Sequence, residues 1–265
     1  MRSLVRYGYV MQISAQQQWA YRGELLLRSI YMVLFMGIFI ALWRTALGAT
    51  ASGTMEGYSL VDMAWYLAMT ETIALSGSRV YTRISQAVKA GDLAYTLTRP
   101  MSYPLFEIAR SLGDSLPRFA LNLLTGALVV MLGVRRVGGS PAGFLAFLVM
   151  AALGMVLDAL IAGLIGLSAF WMEEVAPIVW IYQKLMFTVG GLFLPLEFFP
   201  QWLRSIAEWL PFRFITNAPA RAFVAFDLRE TAAALAGQLA YIAVVGLGVA
   251  LVWHAARRRL VVHGG

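Results

Sequence analysis

The chain has 265 residues, of which 60% are hydrophobic and 13% charged, with a mean hydropathy of +0.71; soluble domains carry about 25% charged residues, so a soluble fold is excluded and lipid is the expected solvent. Six spans of about 20 residues each would leave short loops and no room for a separate soluble catalytic domain. Cysteine is absent, which excludes disulfides, thiolate metal sites and cysteine nucleophiles, and the net charge of +7 falls mainly at the ends of apolar segments, pointing to an anionic membrane surface rather than a nucleic acid.

The N-terminal segment, Leu4 to Arg22, mixes Tyr7, Val10, Met11, Ile13, Trp19 and Tyr21 with Gln12, Gln16, Gln17 and Gln18. It is too polar to span and lacks the compact apolar run of a signal peptide, so residues 1–28 are expected to hold an amphipathic helix in the membrane interface. Apolar stretches long enough to cross a bilayer then run from Ser29 to Leu47, Leu60 to Ser78, Leu116 to Val134, Phe144 to Phe170, Val175 to Leu196 and Ala232 to Trp253. This pattern predicts an all-α polytopic membrane protein with six transmembrane helices in a single domain, 1–265. An even number of spans puts both termini on one side. With the termini inside, thirteen of the 21 Lys and Arg residues flank the inner ends and seven the outer ones, Lys184 lying within a span. Positive flanks are cytoplasmic, which predicts an N-in, C-in topology.

Between the second and third spans, residues 79–115 form a long inner loop. Its first part, RVYTRISQAVKA from Arg79 to Ala90, reads as an amphipathic helix: Val80, Ile84, Ala87 and Val88 share one side, with Tyr81 at its edge. Arg79, Thr82, Arg83, Ser85, Gln86 and Lys89 cover the other. Gly91 stands where a left-handed cap would end the helix, and Asp92 opens the next segment. The helix could lie on anionic headgroups or dock another protein.

Glu71, Asp158 and Lys184 fall near the middle of their spans, at a rise of about 1.5 Å per residue. Intramembrane charge is costly, so the group reads either as a substrate or proton pathway or as a buried structural pair. For Lys184 a nearby carboxylate is expected, Glu71 first and Asp158 second. Asp62, close to an outer helix end, can reach water.

At the outer end of the fifth expected span, Gly190-Gly191 is followed by Pro195, Pro200 and Pro211 in a strongly apolar stretch. Proline breaks helices, yet Phe193, Leu194, Leu196, Phe198, Phe199, Trp202 and Leu203 are too apolar for an exposed loop. A pair of short re-entrant helices in segment 197–231, with Trp202 and Trp209 at the headgroups, reconciles the two. A cap resting on the outer membrane surface is the plainer alternative.

Enzyme constellations are missing. The histidines, His254 and His263, lie at or beyond the last span, so no serine-histidine dyad or histidine-based metal site can be drawn inside the membrane. Lys89 and Lys184 lack the glycine frame of a Walker motif, so no cofactor and no ATP site is expected in this chain.

Two stretches carry a resemblance. ISQAVKAGDLAYTLTRPMSYP, Ile84 to Pro104, with its Gly91, Leu97, Arg99-Pro100 and Ser102, resembles the cytoplasmic loop of type-2 ATP-binding-cassette (ABC) transporter permeases, closest to an uncharacterised bacterial branch. GGLFLPLEFFPQWLRSIAEWLPFRFITNAP, Gly190 to Pro219, is similar to that family's fifth span and its outer re-entrant helices. The resemblance implies a permease subunit of an ATP-driven exporter in the bacterial inner membrane, with the N-terminal helix as its elbow. Two ABC ATPase subunits that bind ATP and Mg, a second permease, identical or homologous, and membrane lipids would be its partners. Arg79, Arg83, Gln86, Lys89, Gly91, Asp92, Arg99 and Pro100 would couple to the ATPase, and Gly190, Gly191, Pro195, Phe198, Phe199 and Pro200 would form an outer gate. Aromatic and methionine-rich spans suit a hydrophobic or amphipathic cargo, and suit lipid contact equally. A stand-alone channel or lipid-binding scaffold is the rival reading, and an ATPase that co-purifies with the chain separates the two.

Overall fold

The computed structural model describes residues 2–20, 22–50, 52–91, 93 and 101–262. Helices dominate: α1 (Arg2–Ala20), α2 (Arg22–Gly48), α3 (Leu60–Leu75), α4 (Val80–Ala90), α5 (Tyr103–Val134), α6 (Pro141–Leu167), α7 (Ala176–Thr188), α8 (Gln201–Trp209), α9 (Asn217–Val224) and α10 (Leu228–Val262). Among the described residues, four stretches are long and apolar enough to cross a membrane: Ser29–Gly48, Tyr103–Val134, Pro141–Phe170 and Leu228–Arg259. The second and fifth expected spans come out as α3 and α7, apolar but only 16 and 13 residues long, below the roughly 20 that a straight crossing takes.

The bundle is built around α3. Every residue from Met63 to Ile73 is buried, and α2, α5 and α9 pack around it. A helix buried on every face has to be enclosed on all sides, and α3 is enclosed by Met32 and Met36 of α2, Phe147 and Met150 of α6, and Ala220, Ala222 and Phe223 of α9. Its start is a capping box: the Ser59 hydroxyl accepts from the Asp62 amide, and the Asp62 carboxylate accepts from the Ser59 amide at 3.0 Å. Asp62 therefore works as a helix cap.

Helix α5 begins at Tyr103, well before the expected start at Leu116, because Ser102 is extended and Pro104 sits in the first turn, where a missing N–H removes no helical bond. The segment from Tyr103 to Ser115 is thus helix rather than loop. Along this extension runs α1, the closest crossing lying at Gly113, where a Cβ would stand 2.2 Å from the Met11 carbonyl oxygen. Tyr7 of α1 also accepts from the Ser102 amide at 3.1 Å. The far side of α1 exposes Val5, Tyr9 and Ile13, an i, i+4 stripe that suits an interfacial helix.

Gly113→Val should push α1 off α5 at an overpacking cost of about 1–3 kcal/mol. The expected result is a lower midpoint for thermal unfolding of the purified protein in detergent, and an unchanged midpoint would show that the two helices are not in contact there.

Candidate functional site

The polar interior of the bundle is concentrated at two breaks in its helices. The first is the joint between α3 and α4, residues 76–79. Ser76 donates to the Thr72 carbonyl at 2.6 Å and accepts from Asn122 Nδ2 at 3.2 Å. The Gly77 carbonyl accepts from Arg118 Nη1 at 3.4 Å. The Ser78 amide donates to Asp158 Oδ2 at 2.7 Å, and its hydroxyl pairs with that of Ser111 at 2.8 Å. Asp158 also accepts from the Tyr182 hydroxyl. One carboxylate of α6 thus holds the α3–α4 joint and α7 together, and the backbone freed by the break finds partners without water.

The helix after the joint has the two faces read from its sequence, except that Ser85, read on the polar side, is buried. Val80 and Ile84 are fully buried against α6, while Arg79, Gln86 and Lys89 are exposed. Gly91 closes α4 with φ +71°, its amide donating to the Ala87 and Val88 carbonyls, the left-handed cap that glycine accommodates without strain. Arg83, expected on the open polar face, is turned inward instead. Its Nε lies 2.9 Å from Glu107 and its Nη1 2.7 Å from Asp114, both on α5, because two partly buried carboxylates there need a cation. Lys89 pairs with Glu174 ahead of α7. Between α4 and the start of α7 lies a groove of about 340 Å³, lined by Thr82, Gln86, Lys89, Val179 and Trp180 among others. Asp92, Arg99 and Pro100 lie outside the described residues.

The second break comes after α7. The helix expected to run to Leu196 ends at Thr188, and the chain turns at Gly190-Gly191, Gly191 having φ +71°. Three successive carbonyls left open by the turn each meet a side-chain hydroxyl: Gly190 meets Thr216 at 2.7 Å, Gly191 meets Tyr66, and Leu192 meets Thr70 at 2.7 Å. Asn217 Nδ2 donates to the Tyr66 hydroxyl at 2.9 Å, tying in α9. Phe193 then packs on Phe35, Phe39 and Phe187 with centroids 4.3–5.3 Å apart.

Beyond it Pro195 and Pro200 bracket a short 3-10 turn, Leu196–Phe198, before α8, so residues 197–211 are not an extended loop. Phe198 packs against Trp43 and Tyr58, and Phe199 joins a cluster with Val189 and Ala207. Trp202 and Trp209 project from α8. Around this turn Arg221 bridges Glu197 and Glu230, each at 2.8 Å. Burial, reinforced by the Glu197 carboxylate, raises the nearby Tyr58 phenol above its ordinary value.

The charges read as intramembrane share one cavity of about 390 Å³, lined by Glu71, Asp158, Lys184 and Arg118. The expected pairing is absent among the described residues. Lys184 makes no ion pair with Glu71 or Asp158; it is exposed, its ammonium 5.3 Å from the Trp180 ring centre and 5.8 Å from that of Phe187. Ring faces attract a cation, and Asp158 is engaged by Ser78 and Tyr182. Sequence reasoning missed both sets of neutral partners, since a hydroxyl carries no charge to mark it. The available signal was the i, i+4 spacing of Tyr66 and Thr70, which sets both hydroxyls on one face of α3.

Residues 29–264 match the family described as ABC-2 family transporter protein. The chain belongs to that family, and it is a multi-pass membrane permease component of an ABC transporter. Permeases of this family are generally non-catalytic membrane subunits that work with ATPase partners. No curated protein matches the chain.

Tyr66→Phe removes the hydroxyl that satisfies the Gly191 carbonyl, and an unmet buried polar group costs about 1–3 kcal/mol. Thermal unfolding in detergent is expected to shift downward accordingly, and a shift of zero would mean that another donor serves that carbonyl.

Proposed function

We propose that the chain is the membrane subunit of an ATP-driven exporter in the bacterial inner membrane, moving a hydrophobic or amphipathic substrate. It works with two ATPase subunits, which bind ATP and Mg, and with a second permease, identical or homologous. In this reading α3 and α7 complete six crossings with both termini inside, and the chain segments around them shorten the distance each must cover. The α8 and α9 helices dip into the outer leaflet with their neighbours satisfying the broken backbone.

The observation that carries the reading is the placement of α4. Its apolar face is locked into the bundle through Val80 and Ile84, its free face offers Arg79 and Gln86, and its root is tied by Ser78 to Asp158 in the interior. A partner that pushes on the free face moves the joint, and through Asp158 and Tyr182 it moves α7. The turn at Gly190-Gly191, at the far end of α7, then serves as the outer gate, with Pro195, Phe198, Phe199 and Pro200 as its lid. Arg83 positions α4 from inside through Glu107 and Asp114 rather than meeting the ATPase. A single element with two arrangements, biased by ATP binding in the partner, is all the mechanism requires.

The test is co-purification of the permease with an ATPase subunit, then hydrolysis and vesicle-transport assays on wild type and Gly91→Val. A branched residue at φ +71° costs about 1–2 kcal/mol and re-aims the end of α4. Wild type should transport in step with hydrolysis, and Gly91→Val should assemble and hydrolyse ATP with transport reduced at least several-fold. Failure of any ATPase to co-purify would favour the channel or scaffold instead, and normal transport by Gly91→Val would remove α4 from the coupling route.

A further inference from the structure

Most of the charges around the 390 Å³ cavity are accounted for within the chain. Asp158 accepts from the Ser78 amide and the Tyr182 hydroxyl. Arg118 donates to the Asp114 and Gly77 carbonyls and to the Ser115 hydroxyl. Lys184 lies over the rings of Trp180 and Phe187. Arg79 is exposed at the start of α4.

Glu71 is different. Only 4% of its surface is exposed, it lines the cavity, and among the described residues it has neither an ion pair nor a hydrogen-bond partner. A carboxylate in this position lacks the compensation that buried charge requires. Around it the cavity wall is built from Tyr31, Met155, Tyr182, Met186 and Phe187. Aromatic faces attract cationic nitrogen, and methionine adapts to varied apolar shapes. The volume falls within the range of about 300–1,000 Å³ typical of small-molecule sites.

We infer that this cavity binds an organic cation, an amine or onium centre carried on an apolar body, with the Glu71 carboxylate as its counter-ion. The inference rests on the transport reading only for its consequence, that the cargo of the exporter is a cationic amphiphile. Binding itself involves this chain alone. The apolar body lies against Met155, Met186 and Phe187, while the positive centre sits at the Glu71 carboxylate. Lys184, Arg79 and Arg118 line the same space, and of the two lining carboxylates Glu71 alone lacks a partner among the described residues, so the site neutralises a single cationic centre.

Tetraphenylphosphonium and tetraphenylborate are matched in shape and opposite in charge, which separates charge recognition from simple partition into an apolar space. Equilibrium binding of each would be measured on the full-length chain in nanodiscs, without any ATPase, for wild type, Glu71→Gln and Glu71→Asp. The cation is expected to bind wild type and Glu71→Asp. Its affinity should fall by about tenfold or more in Glu71→Gln, the loss of one charged contact, with the borate unaffected. Equal cation binding by wild type and Glu71→Gln, or preference of wild type for the borate, would overturn the assignment. Because Glu71→Gln is isosteric and removes an uncompensated charge, it is expected to fold, and an undiminished unfolding midpoint confirms that the loss is local. Failure here leaves the ATPase-coupling experiment untouched, and failure of that experiment leaves this binding result standing.

Discussion

Asp158 is buried among the apolar helices of the bundle and yet has its oxygens filled by the Ser78 amide from one side and the Tyr182 hydroxyl from another. An ionisable group in such a place is tolerated only when its lone pairs are met, and these two donors come from segments far apart in the chain. Satisfying one carboxylate therefore fixes three parts of the molecule against each other: helix α6, the joint at the root of α4, and α7. Without that contact the Ser78 amide would lose its acceptor in an apolar interior, and α4 would be held to the bundle by its packing and by the ion pairs of Arg83 and Lys89.

The two helix breaks obey one rule. Chain that departs from a helix in a dry interior must find hydrogen-bond partners from side chains, since neither water nor the next turn supplies them. At residues 76–79 Asp158 meets the Ser78 amide and Arg118 the Gly77 carbonyl, while Ser111 and Asn122 meet the hydroxyls of Ser78 and Ser76. At residues 190–192 the partners are Thr216, Tyr66 and Thr70. Helix α7 touches the first break through Tyr182 and leads into the second. In the coupling proposed above, α7 is the element that joins the face carrying Gln86 to the turn at Gly190-Gly191.

Much of this was readable from residue order alone. The long apolar helices are legible because nothing but a bilayer accommodates them, and α4 because Val80 and Ile84 recur at helical spacing ahead of a capping glycine. The proline and glycine pattern after Thr188 announces a break for a local, steric reason. What was not legible depends on tertiary partners. Arg83 looks like a free surface cation until Glu107 and Asp114, on a helix starting earlier than hydropathy suggests, are seen to receive it. Lys184 was expected to seek a carboxylate, but aromatic rings one turn away on its own helix hold it, and such short-range neutral partners leave no charge pattern to read. Helix α3 ends where its hydrophobic residues do, at Leu75 before Ser76-Gly77-Ser78, whereas α7 stops at Thr188 because Gly190-Gly191 turn the chain before the hydrophobic residues run out.

In the coupling proposed above, the Asp158 carboxylate transmits movement between α4 and α7. A chain free of native cysteine can be spin-labelled cleanly at Gln86→Cys and Gln183→Cys, two positions on the rim of the groove between those helices. The separation of the labels would be measured in the assembled transporter with and without a non-hydrolysable ATP analogue. Coupling through Asp158 predicts that the analogue shifts the distance distribution in wild type and in Asp158→Asn, which retains an acceptor for Ser78, and that the shift is lost in Asp158→Ala. An identical shift in Asp158→Ala would contradict it.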